Sequence, residues 1–170
     1  MRAALGRRLP RGGAGHRTMC YSVYLSTDSP ADLSVRTTDL VRLERLNGER
    51  QDPVVRLLGF TNRWYVGSRT GCSCTFRHLV STELGFGEPE EWYPEDQDAL
   101  EATKYLYEVI STLVSAGHAV DCLDRWEGAQ PKDIHTLAVS LHGVSREAFR
   151  LFENHRFTFT KGIPQPGRGA

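Results

Sequence analysis

Long apolar runs are missing from this 170-residue chain. Nowhere do the roughly eighteen consecutive apolar residues of a membrane-spanning helix occur, so no membrane association is expected. An excess of charge is missing too, since 21 Lys and Arg balance 21 Asp and Glu. The balance is uneven along the chain. Residues 1–18 carry Arg2, Arg7, Arg8, Arg11 and Arg17 and no acid, which leaves 16 basic residues against 21 acidic ones in the remainder, a net charge of about −5. Gripping a phosphate backbone needs clustered lysine and arginine. A mildly acidic body argues against a nucleic-acid partner, and nothing else in the sequence names a partner or an oligomeric state.

The basic first segment lacks the apolar centre of a secretory signal and contains too much Gly and Pro for a persistent helix. A disordered N-terminal extension is expected over 1–18. Met19, one of only two methionines, stands directly before the first strand-like run, so translation starting there is one reading of the segment. A targeting peptide is the other. "GIPQPGRGA" at the C-terminus reads by composition as a disordered tail over 162–170. Between them, 19–161 is long enough to bury a core as one domain without disulfide or metal staples. Cysteine is scarce, at four residues. Without a secretory signal, these thiols are expected to stay reduced, in the cytoplasm.

What is present has the pattern of an α+β fold. "YSVYLST", Tyr21 to Thr27, alternates as a half-buried strand. "DLVRLERL", Asp39 to Leu46, fits helix or strand. "VVRLLGF" and "RWYVGS", joined by a short link, predict a β-hairpin. "FRHLVSTELG" predicts a short helix, and "FGEPEEWYPED" an acidic, Pro-containing loop. Ala99 to Ala116 predicts the one long helix, with Asp98 as cap and Ala102, Leu106, Val109, Ile110 and Leu113 in its apolar stripe. "HAVDCLDRW" and "HTLAVSLHGV" predict strands, with Cys122 on the buried face beside Val120 and Trp126, and Asp121, Leu123, Arg125 and Glu127 on a face open to solvent. Ser145 is expected to cap a final short helix, "REAFRLFENH", followed by "FTFT" as an edge strand. The expectation is a single α+β domain, its mostly antiparallel sheet packed against one long and one or two short helices.

Chemistry concentrates in "GSRTGCSCTFRH", Gly67 to His78. Thiolates bind zinc and other soft metal ions, and Cys72, Cys74 and His78 are close enough in sequence to share one, with Cys20 or Cys122 as a distant fourth ligand, although alternation sets Cys122 among core residues. A reactive thiol is the second reading. Arg69, Arg77 and His78 flank the pair, and cations or a helix start favour thiolate; Cys74, nearest the expected helix, would lead, with Cys72 and Arg77 in support. In a third reading both cysteines merely pack in a tight turn, within a domain that binds partners without chemistry.

Two resemblances attach to these residues. If Met19 were the start and were removed, Cys20 would be N-terminal and its own amine could act as base, an arrangement similar to that of N-terminal nucleophile hydrolases. "WYVGS", Trp64 to Ser68, followed by Arg77, resembles the second half of the GIY-YIG nuclease motif. That resemblance implies Tyr65 activating water, Arg77 stabilising phosphoryl charge, and Glu83 or Glu101 holding a metal.

Overall fold

The computed structural model describes residues 20–47 and 52–161. The expected extension at 1–18 and tail at 162–170 lie outside the described residues. A six-stranded sheet runs in the order β2-β3-β1-β5-β8-β6, formed by β1 Tyr21–Thr27, β2 Val41–Arg45, β3 Asn62–Ser68, β5 Val120–Trp126, β6 His135–Ser140 and β8 His155–Thr160. Every pairing is antiparallel except β6 with β8. Two short segments, β4 His78–Leu79 and β7 Leu151–Phe152, pair in parallel as a small second sheet. The α+β architecture read from the sequence is the one found.

The single long helix, α1 Gln97–Ser115, starts two residues earlier than its pattern implied. Asp96, not Asp98, caps it, accepting from the Ala99 N–H at 2.9 Å. Leu106, Val109, Ile110 and Leu113 of α1 are buried against one face of the sheet with Val23, Leu25, Trp64, Cys122, Phe157 and Phe159. A Leu or Phe removed from water contributes about 1.5–3 kcal/mol, so this layer dominates the fold.

The other sheet face is not wet. Tyr24 and Leu123 pack there against Val54, Val55 and Leu58 in a second apolar cluster. "VVRLLGF" is therefore no strand. Asp52 accepts from Val54 N–H at 2.9 Å and turns the chain through Pro53 into a 3-10 turn, Val55–Leu57, that lies across the sheet. Asp121, fully buried, pins this crossing through the Gly59 N–H at 2.8 Å and Arg156 at 2.7 Å. β3 consequently pairs with β1 and β2, and the expected hairpin does not form.

Two more expectations are corrected. "FTFT" lies in β8, inside the sheet between β5 and β6, not at its edge. Neither "FRHLVSTELG" nor "REAFRLFENH" is helical. Parts of them become β4 and β7, and the short helices among the described residues are 3-10 turns.

Candidate metal centre

The loop between β3 and β4 is built around Ser73, which no pattern singled out. The β1–β3 ladder ends at Val23 opposite Val66. Beyond that point Ser73, fully buried, takes the place of a pairing strand. Its hydroxyl accepts from the Val23 N–H at 2.8 Å and donates to the Val66 carbonyl at 2.7 Å, and its own N–H reaches the Tyr21 carbonyl at 3.3 Å. The loop closes tightly behind it: Ser68 N–H and Oγ both donate to the Cys72 carbonyl, at 2.7 and 2.6 Å. Gly71 makes that closure with φ +85°, a conformation other residues resist, while a Cβ on Gly67 would stand 3.0 Å from the Gly71 carbonyl oxygen.

With Ser73 fixed between them, Cys72 and Cys74 are held beside the start of β1. Cys20 immediately precedes that strand, its carbonyl accepting from the Glu127 N–H at 2.9 Å. The three sulfurs lie within 4.8 Å of one another, the one such group of metal-ligating side chains among the described residues. Cys20 and Cys72 are half-buried, and Cys74 is exposed.

The three thiols are not equivalent. Burial pushes the Cys72 thiol up, but the Thr70 hydroxyl at 3.2 Å, the Cys74 N–H at 3.4 Å and the Cys74 thiol favour its thiolate more, and its net shift is down from the ordinary 9.0. Cys74 is pushed up to about 12, first by burial and then because its thiol donates to Cys72. One proton thus sits on the Cys74 side of the pair. Cys122 stands apart: it is fully buried in the main core, and burial raises its thiol well above the ordinary value.

His78 is not among the gathered ligands. Its Nε2 contacts the Ser73 carbonyl at 2.8 Å and its Nδ1 the Asp124 carboxylate at 2.7 Å, and its ring stacks on Tyr21 at 3.9 Å. A carbonyl only accepts, so Nε2 carries a proton and offers no lone pair. Burial raises the Asp124 carboxyl from 3.8, against the lowering effect of His78. The same strand alternation that put Cys122 in the core also puts Asp124 there, and a carboxylate on a buried face was the available signal for this pair. Tyr21 extends the network, donating to Glu153 at 3.0 Å, and its phenol is raised by burial and by that carboxylate.

Arg77 also faces away from the cysteines. Its Nε and Nη2 clasp Glu95 at 2.8 and 2.7 Å, Nη1 donates to the carbonyls of Glu147 and Phe149 at 2.9 and 3.0 Å, and Nη2 donates to Gly87 at 3.0 Å. All five guanidinium donors are used within the scaffold.

Across protein-family models, curated proteins and solved structures, nothing matches this chain. The nuclease-like set is dispersed. Tyr65 packs beside Tyr24 on the sheet face away from α1, its hydroxyl donating to the Gly71 carbonyl at 3.1 Å, while the Arg77 N–H donates to Thr103 of α1 at 2.9 Å. Glu83 is exposed, and Glu101 pairs with Lys104 at 3.0 Å.

Proposed function

We propose that the protein binds a soft metal ion, zinc first among them, through Cys20, Cys72 and Cys74. The observation that carries this is the convergence of three sulfurs from two distant segments to within 4.8 Å. Zinc–sulfur bonds of about 2.3 Å require neighbouring sulfurs roughly 3.8–4.0 Å apart. Moving the sulfurs together by at most about 1 Å, within reach of side-chain rotation, meets that requirement. The donor set is all thiolate, which favours zinc or copper(I) over hard cations, and three protein ligands leave a fourth position for an exogenous ligand on the exposed Cys74 side. Thiols kept for such a role belong in a reducing compartment, and we infer a cytoplasmic location.

The test is elemental analysis of the full-length protein purified under reducing conditions without added metal. Near-stoichiometric zinc or copper, lost in Cys72→Ser/Cys74→Ser and in Cys20→Ser but kept in His78→Gln, is the expected result. Metal-free wild-type protein that also takes up no zinc on titration would sink this reading.

A thiol-dependent activity is the second reading, favoured by the two hydrogen bonds onto the Cys72 sulfur. It makes Cys72 the nucleophile.

A further inference from the structure

Large apolar side chains that face solvent are few; most fall in one stretch of chain, and two of them, Trp92 and Tyr93, touch. Among the described residues, Val80, Leu84, Trp92 and Tyr93 are exposed by 78, 75, 79 and 63 %, and only Val35 joins them from outside the segment 80–93. Exposed apolar residues scattered singly need no explanation, whereas gathered ones mark interaction surfaces.

The segment has a defined path. Its middle is pinned where Phe86 packs on Phe149 and Phe152, where the Gly87 N–H donates to the Ala148 carbonyl at 3.0 Å, and where the Gly87 carbonyl accepts from Arg77. Phe86 is turned inward while Trp92 and Tyr93, with rings 5.9 Å apart, are turned outward. Pro89 and Pro94 stiffen the outward stretch, and the Trp92 indole N–H is steadied by Glu90 at 3.2 Å. A surface already ordered loses little entropy when a partner arrives.

Charge selects the partner. From 78 to 103 there is no Lys or Arg, against eight Asp and Glu. Glu95 is clasped by Arg77, Asp96 caps α1, and Asp98 and Glu101 pair with Arg69 and Lys104. The other four, Glu83, Glu88, Glu90 and Glu91, are exposed in the same segment as the apolar side chains, and the cation packed on the segment besides Arg77 is Arg150, which donates to the Gly87 carbonyl and lies near Glu90. At the start of the segment, Val80, Ser81 and Thr82 form one wall of a cavity of about 510 Å³ whose other wall is Asp133, His135, Glu153, Asn154 and His155.

We propose that the segment 80–93 is a docking surface for an arginine- or lysine-rich segment of a partner protein. Aromatic faces attract guanidinium and ammonium groups, and the exposed glutamates hold the flanking cations. The same negative charge disfavours an anionic membrane surface as the occupant. The assignment is independent of the cysteine cluster.

Fluorescence anisotropy of the full chain with a fluorescein-labelled decapeptide alternating arginine and serine tests it. The arginine peptide binds and the corresponding glutamate peptide does not. Trp92→Ala/Tyr93→Ala weakens binding about tenfold, Glu88→Lys/Glu90→Lys/Glu91→Lys abolishes it, and Cys72→Ser/Cys74→Ser leaves it unchanged. All the altered surface positions are exposed, and unchanged circular dichroism confirms that the variants fold. No binding at 100 μM peptide, equal binding by the aromatic double variant (diffuse attraction only), or binding to neutral phosphatidylcholine vesicles instead of the peptide would each overturn the proposal.

Discussion

The Nη1 of Arg77 lies 2.9 Å from the carbonyl oxygen of Glu147, where the N–H of Leu151 would sit if the chain continued as a helix. Ser145 does start a single turn, its hydroxyl accepting from the Ala148 N–H at 3.1 Å, but no helix follows. One turn later the carbonyls of Glu147 and Phe149 are taken by Arg77, and the N–H groups of Leu151 and Glu153 donate to the Arg77 and Leu79 carbonyls at 2.8 Å. Two long-range partners thus replace both helical hydrogen bonds.

Arg77 is therefore expected to hold structure. Arg77→Lys loses the paired contact with Glu95 and strands several buried carbonyls, at a cost of about 3 kcal/mol. Urea denaturation measures it. A midpoint unchanged from wild type would remove Arg77 from the scaffold and reopen a role near the thiols.

Ser73→Ala leaves the Val23 N–H and the Val66 carbonyl without their buried partner, which costs about 2 kcal/mol. The same change loosens both flanking cysteines. Zinc affinity, read by competition with a chromophoric chelator, is expected to fall at least tenfold; a stability loss without any change in affinity would show that the cysteines position themselves.

The chelator-treated protein should be alkylated first at Cys72. Its thiol is the one lowered below 9.0, while Cys74 is held up to about 12. Iodoacetamide at pH 7.5 with peptide mapping reads the order, and Thr70→Ala should slow Cys72 several-fold. Faster labelling at Cys74 would reverse this assignment.

Asp124 gives a pH signature. Its folded-state pKa lies above the ordinary 3.8, so between these values the native state binds more protons than the unfolded one. Its contribution to stability is then full below pH 4 and is lost as pH rises through the raised value. Measured from pH 4 to pH 7, wild type should lose stability relative to Asp124→Asn. Parallel curves for the two proteins would mean that the carboxyl is not raised.

Local pattern made much of this fold readable. The alternation of Tyr21 to Thr27 and the stripe from Ala102 to Leu113 were sufficient because each element meets the core through one regular face. "REAFRLFENH" and "FRHLVSTELG" were misread because their fate is settled by hydrogen bonds to residues some 70 positions away. "VVRLLGF" was misread because the turn chemistry of Asp52 and Pro53 outweighs a run of strand formers. At the site, Cys72 and Cys74 stood out by spacing, and Cys20 could be offered only as a distant ligand. The role of Ser73 was hidden because it depends on where the β1–β3 ladder stops.

Because Cys20 immediately precedes β1 while Ser73 ties the Cys72–Cys74 loop to that same strand, the three sulfurs meet only after β1 has found β3 across some forty intervening residues. The unfolded chain holds two thiols one residue apart and a remote third, a poor chelator. An ion captured at this place would serve as a clasp on a strand end, closing last and marking that the sheet has been correctly assembled.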